Sequence, residues 1–266
     1  MSSTMPTRPP DADAPRVLVT REEPEPVSEA VRLVHGEPVE LPLLTTRWLA
    51  FDLPAGHRLE TYDWIAFTSA RALEAIATKA HASGWSWPPQ AAAAAVGDRT
   101  AHELQARGWM PECVSEEPSA RGLVDALVRR GVIGARILFP CSRIAEATFP
   151  AGMRDAGAMV DVLHVYTTTP IWADQPHEKR RLGQRLATEL ARGCVVTCAS
   201  PSAARALVEL SQDAGVAEPL RRTPIVVMGP TTAAAVAGLG LLVVDAGGRT
   251  LAAMARRAVE IGRQRS

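Results

Sequence analysis

The 266-residue chain has no excess charge of either sign, with Lys plus Arg and Asp plus Glu at 29 each. Nucleic-acid binding usually shows as a basic domain, so the balance removes that footprint from the chain as a whole. Cysteine is scarce: Cys113, Cys141, Cys194 and Cys198 are the four, and none forms a Cys-x-x-Cys pair. Zinc and disulfide frameworks announce themselves by paired spacing. These cysteines read instead as small buried hydrophobes, and reduced thiols fit a cytoplasmic location. No metal and no cofactor is expected. The phosphate-binding signatures are also missing. There is no Gly-x-x-x-x-Gly-Lys-Ser/Thr, no Gly-x-Gly-x-x-Gly after the first strand and no Gly-x-Ser-x-Gly elbow. His102-Glu103 lacks the second histidine of a zinc helix, and the six histidines are scattered.

Neither a leader nor a membrane span is expected. Residues 1–15 are polar and rich in Pro and Asp, and read as a disordered tail, without the basic start and apolar run of a signal peptide. Ile225 to Leu242 carries no charge, but Gly229-Pro230-Thr231-Thr232 interrupts it and Gly238 and Gly240 follow. That punctuation suits a strand–turn–helix–strand path better than a spanning helix, so no membrane partner is expected.

What is present is 47% apolar residues with 22% charged, enough for packed cores. Short β-branched runs alternate with stretches of helical spacing. The expected strands are 16–20, 64–68, 93–96, 136–139, 160–166, 194–198, 225–228 and 241–245. Strands alternating with helices argue for parallel sheets of βαβ units. Gly36, Gly84, Gly108, Gly131, Gly157, Gly215 and Gly240 each follow a helical stretch as left-handed stops. Pro38, Pro42 and Pro54 exclude a helix around Leu41, Leu43, Leu44 and Trp48, and residues 38–55 read as an extended connector.

The most informative feature is repetition. Thr68-Ser69-Ala70-Arg71-Ala72 follows one strand and Ala199-Ser200-Pro201-Ser202-Ala203 another; Ser69 and Ser200 lie 131 residues apart. Gly97-Asp98-Arg99-Thr100-Ala101 and Gly229-Pro230-Thr231-Thr232-Ala233 follow, with their glycines 132 apart. Whole βαβ units therefore recur at about the size of a domain. A weaker correspondence joins the strand before Thr20-Arg21 to the strand Ile137–Phe139, which Arg143 follows.

Hydroxyls and backbone amides thus collect where strands feed helices. The first amides of a helix lack internal partners and carry partial positive charge, so carboxylates bind there. Ser and Thr are also ordinary N-caps. Loops at matched positions in two domains favour an anion site at the strand C-terminal ends. Arg21 and Arg143 are candidate carboxylate partners or plain surface charges. Tyr166, one of two tyrosines, ends a strand before a Thr-Thr-Thr-Pro connector and can donate a proton or hydrogen bond to a leaving oxygen; a half-buried strand aromatic is the other reading.

Taken in order, Val17-Leu18-Val19-Thr20-Arg21, Tyr62-Asp63-Trp64-Ile65-Ala66-Phe67-Thr68-Ser69 and Val96-Gly97-Asp98-Arg99-Thr100-Ala101 resemble the uroporphyrinogen-III synthase family. So do Gly157–Val160 leading into Val165-Tyr166, Ser200-Pro201-Ser202-Ala203 and Met228-Gly229-Pro230-Thr231-Thr232-Ala233. The resemblance implies an α/β fold: two flavodoxin-like parallel-sheet domains joined by two extended connectors, with the ligand cleft between them. It places residues 16–44 plus 170–266 in the first domain and 59–166 in the second, with 45–58 and 167–170 as connectors. It implies cyclisation of hydroxymethylbilane, a linear tetrapyrrole with eight carboxylates, with loss of water and inversion of ring D, and no cofactor. Tyr166 then assists hydroxyl departure, while Thr20, Arg21, Thr68, Ser69, Thr100, Arg143, Ser200, Ser202, Thr231 and Thr232 contact substrate. Arg143 departs from the family pattern, because Pro140-Cys141-Ser142 displaces it from the strand end. The protein is expected to act as a monomer, in passing contact with the preceding pathway enzyme. The alternative is a non-catalytic tetrapyrrole- or polyanion-binding regulatory module. The chain ends soon after Arg257, read as leaving no room for the DNA-binding segment of a regulator. A sugar-phosphate or nucleotide enzyme is disfavoured by the missing phosphate motifs.

Overall fold

The computed structural model describes residues 14–265. The expected tail lies outside them except for Ala14 and Pro15, and Pro15 is already ordered. Its carbonyl accepts the Glu37 N–H at 2.9 Å. A Cβ at Gly262 would come within 2.5 Å of the Pro15 ring, so glycine there lets the last helix approach.

In chain order the elements are β1 (Arg16–Val19), α1 (Glu25–Leu33), β2 (Glu37–Glu40), β3 (Leu44–Trp48), β4 (Trp64–Phe67), α2 (Ala70–Ser83), β5 (Ala92–Ala95), α3 (Asp98–Ala106), β6 (Pro111–Val114) and α4 (Ala120–Val128). Then come β7 (Arg136–Ser142), α5 (Thr148–Asp155), β8 (Met159–Pro170), α6 (Pro176–Ala191), β9 (Val195–Cys198), α7 (Pro201–Asp213), α8 (Ala217–Arg221), β10 (Ile225–Val227), α9 (Pro230–Gly238), β11 (Val243–Asp245) and α10 (Leu251–Arg265). The chain divides into two units. The first runs to Thr45 and resumes at Thr169; the second is Thr46–Thr168.

The first unit holds a sheet of order β2-β1-β9-β10-β11, and the second contains the order β8-β7-β4-β5-β6 with β3 beyond β8. The pairings along both five-strand orders are parallel. Counted along the chain, the first unit reads 2-1-3-4-5, the flavodoxin-like order. The second reads 5-4-1-2-3, the same layout entered at a different strand. β1 and β7 thus occupy equivalent places, matching the weaker correspondence in the sequence.

Each sheet is covered on both faces, which explains the unbroken apolar strands. In the first unit Val17, Val19, Val195 and Val226 pack against Val27 and Val31 of α1 and Met254 and Val259 of α10. Alternate residues Leu18, Val196 and Val227 pack against Leu186 of α6, Leu207 of α7 and Val236 of α9. In the second unit Ile65, Phe67 and Ala93 meet Leu73 and Ile76 of α2 and Leu104 of α3. Ala66, Ala94 and Phe139 meet Leu127 of α4 and Phe149 and Met153 of α5. The helices after β1 and β9 therefore leave on opposite faces, as do those after β7 and β4. Such a switch point opens a crevice at the strand C-terminal ends.

Two sequence expectations need correction. Within the expected connector 38–55, residues 38–40 belong to edge strand β2, paired from Arg16↔Glu37 to Val19↔Glu40, and residues 44–48 form β3. Proline is tolerated at a sheet edge, so Pro38 excluded a helix without excluding a strand. Gly36 is not a left-handed stop. His35 takes that conformation at φ 62°, while the other six glycines take φ of 65° to 84°. Gly36 is small for packing: a Cβ there would lie 2.5 Å from Val259 Cγ2 and 2.8 Å from Val31 Cγ1. The return crossing at 167–170 is the end of the twelve-residue strand β8. The uncharged stretch 225–242 forms β10, the loop into α9, and α9. Among the described residues no helix is long and apolar enough to cross a membrane.

Candidate active site

Ser69 has an extended backbone, φ −155° and ψ 136°, and caps α2: its Oγ accepts the Arg71 N–H at 3.2 Å. Tyr166 comes from the far end of the unit's chain. Its hydroxyl donates to Ser69 Oγ at 3.1 Å. Both acceptor positions of Ser69 are then filled, leaving its own O–H to donate outward. The phenol is held firmly. Tyr166 is 8% exposed, and its ring and the Trp48 indole make an edge contact with centroids 6.2 Å apart. The Arg143 N–H donates to the Tyr166 carbonyl at 2.8 Å, tying the end of β7 to β8. The Arg143 side chain is exposed. The Tyr166–Ser69 pair sits where β7 and β4 diverge, at the switch point of the second unit.

Thr68 is half-buried beside Ser69. On the neighbouring strand the Val96 N–H donates to the Phe67 carbonyl at 3.0 Å, bringing the Gly97 turn alongside. Thr100 is buried on the first turn of α3. A Cβ at Gly97 would lie 3.1 Å from Pro118 Cβ, so this glycine serves packing against the following loop.

The first unit repeats the arrangement at β1 and β9. Ser200 caps α7, accepting the Ala203 N–H at 3.2 Å, and its Oγ lies 3.1 Å from Ser202 Oγ. Arg21 is half-buried just beyond β1. Thr20 is placed differently from expectation. It is 1% exposed, and its hydroxyl donates to the Thr197 carbonyl at 2.8 Å. Thr197 returns the bond to the Leu18 carbonyl at 3.1 Å. The Thr20 hydroxyl therefore stitches β1 to β9. On the first turn of α9 Thr231 is exposed and Thr232 buried. Gly229 caps α9 with φ −155° and ψ 159°, a conformation open to any residue, and a Cβ there would meet nothing within 4 Å. The fold gives no reason for glycine at this position.

A third pair of loops escaped the sequence reading. Ser119 caps α4, accepting the Gly122 N–H at 2.9 Å, and Thr250 Oγ1 accepts the Ala253 N–H at 3.1 Å before α10. These residues also lie 131 apart, so the same spacing would have revealed them. The two are not equivalent in charge. Ser119 Oγ donates to Glu117 Oε1 at 3.0 Å, which places an internal carboxylate at this turn. The loop before Thr250 reads Gly247-Gly248-Arg249.

One cysteine touches these loops: the Cys198 thiol donates to the Ser200 carbonyl at 3.4 Å. All four are free and buried. Burial pushes the Cys141 and Cys198 thiols up to about 11 and Cys194 up to about 12. Among the described residues no cluster of His, Cys, Asp and Glu could hold a metal ion.

A family model described as HEM4, uroporphyrinogen-III synthase HemD, matches residues 25–256. A protein named putative uroporphyrinogen-III synthase, from Methanothermobacter thermautotrophicus, is 28% identical over 159 residues, covering 56% of this chain and 61% of that protein. A uroporphyrinogen-III synthase of Synechococcus elongatus is 31% identical over 131 residues, 47% of this chain and 49% of the relative. The matches thus span about half to three fifths of these relatives' length. Two solved structures share the fold. A mutant uroporphyrinogen III synthase of Thermus thermophilus gives a TM-score of 0.61 at 18% identity, covering 95% of this chain and all of that one. The uroporphyrinogen-III synthetase of Helicobacter pylori gives 0.63 at 14% identity, over 93% and 99%. With the family model running from α1 into α10, the chain belongs to the uroporphyrinogen-III synthase family.

Proposed function

We propose that the protein is a lyase that cyclises hydroxymethylbilane, losing water and inverting ring D, to give uroporphyrinogen III. The observation that carries this reading is the Tyr166–Ser69 pair, a phenol and a capping serine 3.1 Å apart at a switch point. When the substrate's terminal hydroxyl arrives, Tyr166 turns its O–H from Ser69 to that oxygen. The C–O bond breaks, the electron pair leaves with oxygen, and the phenol proton completes a water molecule. A cation spread over the terminal pyrrole remains. The cationic carbon first bonds to the bridge-bearing α-carbon of ring D, giving a spiro intermediate. The bond from that α-carbon to its original bridge then breaks. The bridge cation so released bonds to ring D's other α-carbon, whose proton, lost as the pyrrole regains aromaticity, returns to the phenolate.

Without assistance the bilane closes with no inversion, so the protein must hold one geometry of the cation. Positioning then matters more than a strong acid. The hydroxyl and amide loops supply it: Thr68, Ser69 and Thr100 in one unit, and Ser200, Ser202, Thr231 and Thr232 in the other, take substrate carboxylates. In this reading Arg21 pairs with a carboxylate, Thr20 fixes the strand end that carries Arg21, and Arg143 acts mainly through its backbone hold on Tyr166. The free thiols support a reducing compartment, taken here as the cytoplasm. Monomeric action and a passing contact with the enzyme that supplies the bilane belong to the same reading.

The test supplies freshly made hydroxymethylbilane and resolves the product isomers. Isomer III above the no-enzyme control is expected; isomer I alone overturns the reading.

A further inference from the structure

We infer that Trp48 is a further substrate contact, an aromatic face that stabilises the pyrrole cation left when the hydroxyl departs. This rests on the proposed cyclisation.

Trp48 ends β3, and the next residue pins it in place: the Leu49 N–H donates to the Val165 carbonyl at 3.1 Å. That bond sets the indole beside Tyr166, in an edge contact at 63°. Adjacent side chains in a strand point to opposite faces, so Arg47 and Trp48 diverge. Trp48 is 50% exposed, whereas Trp109 and Trp172 are buried. A large apolar ring left half in solvent gains free energy when a flat ligand covers it. Its neighbour is the phenol that, in the proposed reaction, delivers the proton to the leaving oxygen. The cation therefore forms within about one ring's width of the indole. Attraction between a cation and an aromatic face operates within about 6 Å, and tryptophan is the strongest of the aromatic residues. The attraction is absent in the neutral bilane and present once the C–O bond has broken, so it lowers the barrier rather than only tightening binding.

The structure offers a competing role, in which Trp48 merely holds the Tyr166 ring. The two separate experimentally. Trp48→Phe and Trp48→Leu are made in the native and Tyr166→Phe backgrounds, with folding checked by thermal melting and isomers resolved from fresh hydroxymethylbilane. Expected is a loss of kcat/KM of about tenfold for W48L and about threefold or less for W48F. The W48L loss should persist in the Y166F background, and the share of isomer III should fall. A loss that vanishes in Y166F, or W48L equal to native, overturns the inference. A second measurement needs no destabilising change. Fluorinated tryptophan incorporated throughout should slow the native protein in step with fluorine number and leave W48F unaffected. Equal slowing of both proteins, or none in either, also overturns it. If native protein yields isomer I alone, the cyclisation reading falls and this inference with it. If native protein makes isomer III while Trp48 variants behave as native, only the inference falls.

Discussion

Replacing Gly229 with serine should leave the fold intact and damage substrate binding. The backbone there is extended, and a Cβ meets nothing within 4 Å. Losing glycine's freedom in the unfolded chain stabilises by about 0.4–1 kcal/mol. A serine at an N-cap adds a few tenths of a kcal/mol more. The melting temperature should therefore hold or rise, by about 2–4 °C per kcal/mol at this chain length. In the proposed reaction the first amides of α9 receive a substrate carboxylate. The serine Oγ would take one of those amides, and its Cβ would fill the approach. One hydrogen bond to a charged group is worth about 1.5–3 kcal/mol, so KM should rise by roughly 10- to 100-fold. Steady-state kinetics with hydroxymethylbilane and thermal melts on one preparation check both halves. An unchanged kcat/KM in a folded G229S protein would refute the assignment of α9 as a carboxylate site. A clear fall in melting temperature would refute the claim that the fold leaves this position free.

Tyr166→Phe keeps the ring and loses the proton donor, so kcat should fall on the order of 10²-fold, at the low end for general acids. Near-native melting is expected; an unchanged rate would remove Tyr166 from the chemistry. Gly36→Ala drives a Cβ to 2.5 Å from Val259 Cγ2 and should cost about 1–3 kcal/mol as overpacking, read by denaturant unfolding; a neutral result would show that α1 and α10 shift freely. Because burial raises the Cys141, Cys194 and Cys198 thiols, the folded state keeps their protons at pH values where the unfolded chain loses them. Stability should be unaffected below the ordinary thiol range and decline as pH rises from about 9 towards 11, by at most about 1.4 kcal/mol per pH unit for each fully buried thiol. A Cys198→Ala variant should show a shallower decline; the same slope as native protein would contradict this account.

Local chemistry was legible from the sequence because each βαβ unit needs the same parts in the same order. An apolar strand followed by a helix recurs along the chain, and a capping hydroxyl marks the start of α2, α4, α7 and α10. That is why Ser69 and Ser200 announced a duplication, and why Ser119 and Thr250 could have joined them. The apolar runs determined two-faced burial, and the prolines around residue 40 excluded a helix. Neighbours distant in the chain were not legible. The strand order of the second unit, entered at β4, follows from which edges pair, and no local pattern encodes that. Thr20 carries the same hydroxyl as the capping residues, yet its bond to the Thr197 carbonyl depends on β9 lying beside β1. Gly36 looked like a helix stop until Val31 and Val259 showed what crowds it. Tyr166 stood out in the sequence as a rare residue at a strand end. Only the folding of β8 beside β7, and of β7 beside β4, brought its hydroxyl to Ser69, 97 residues away. Periodicity and turn chemistry act over a few residues and are written in the chain; a site forms through space, from contacts that exist only once the sheets are packed.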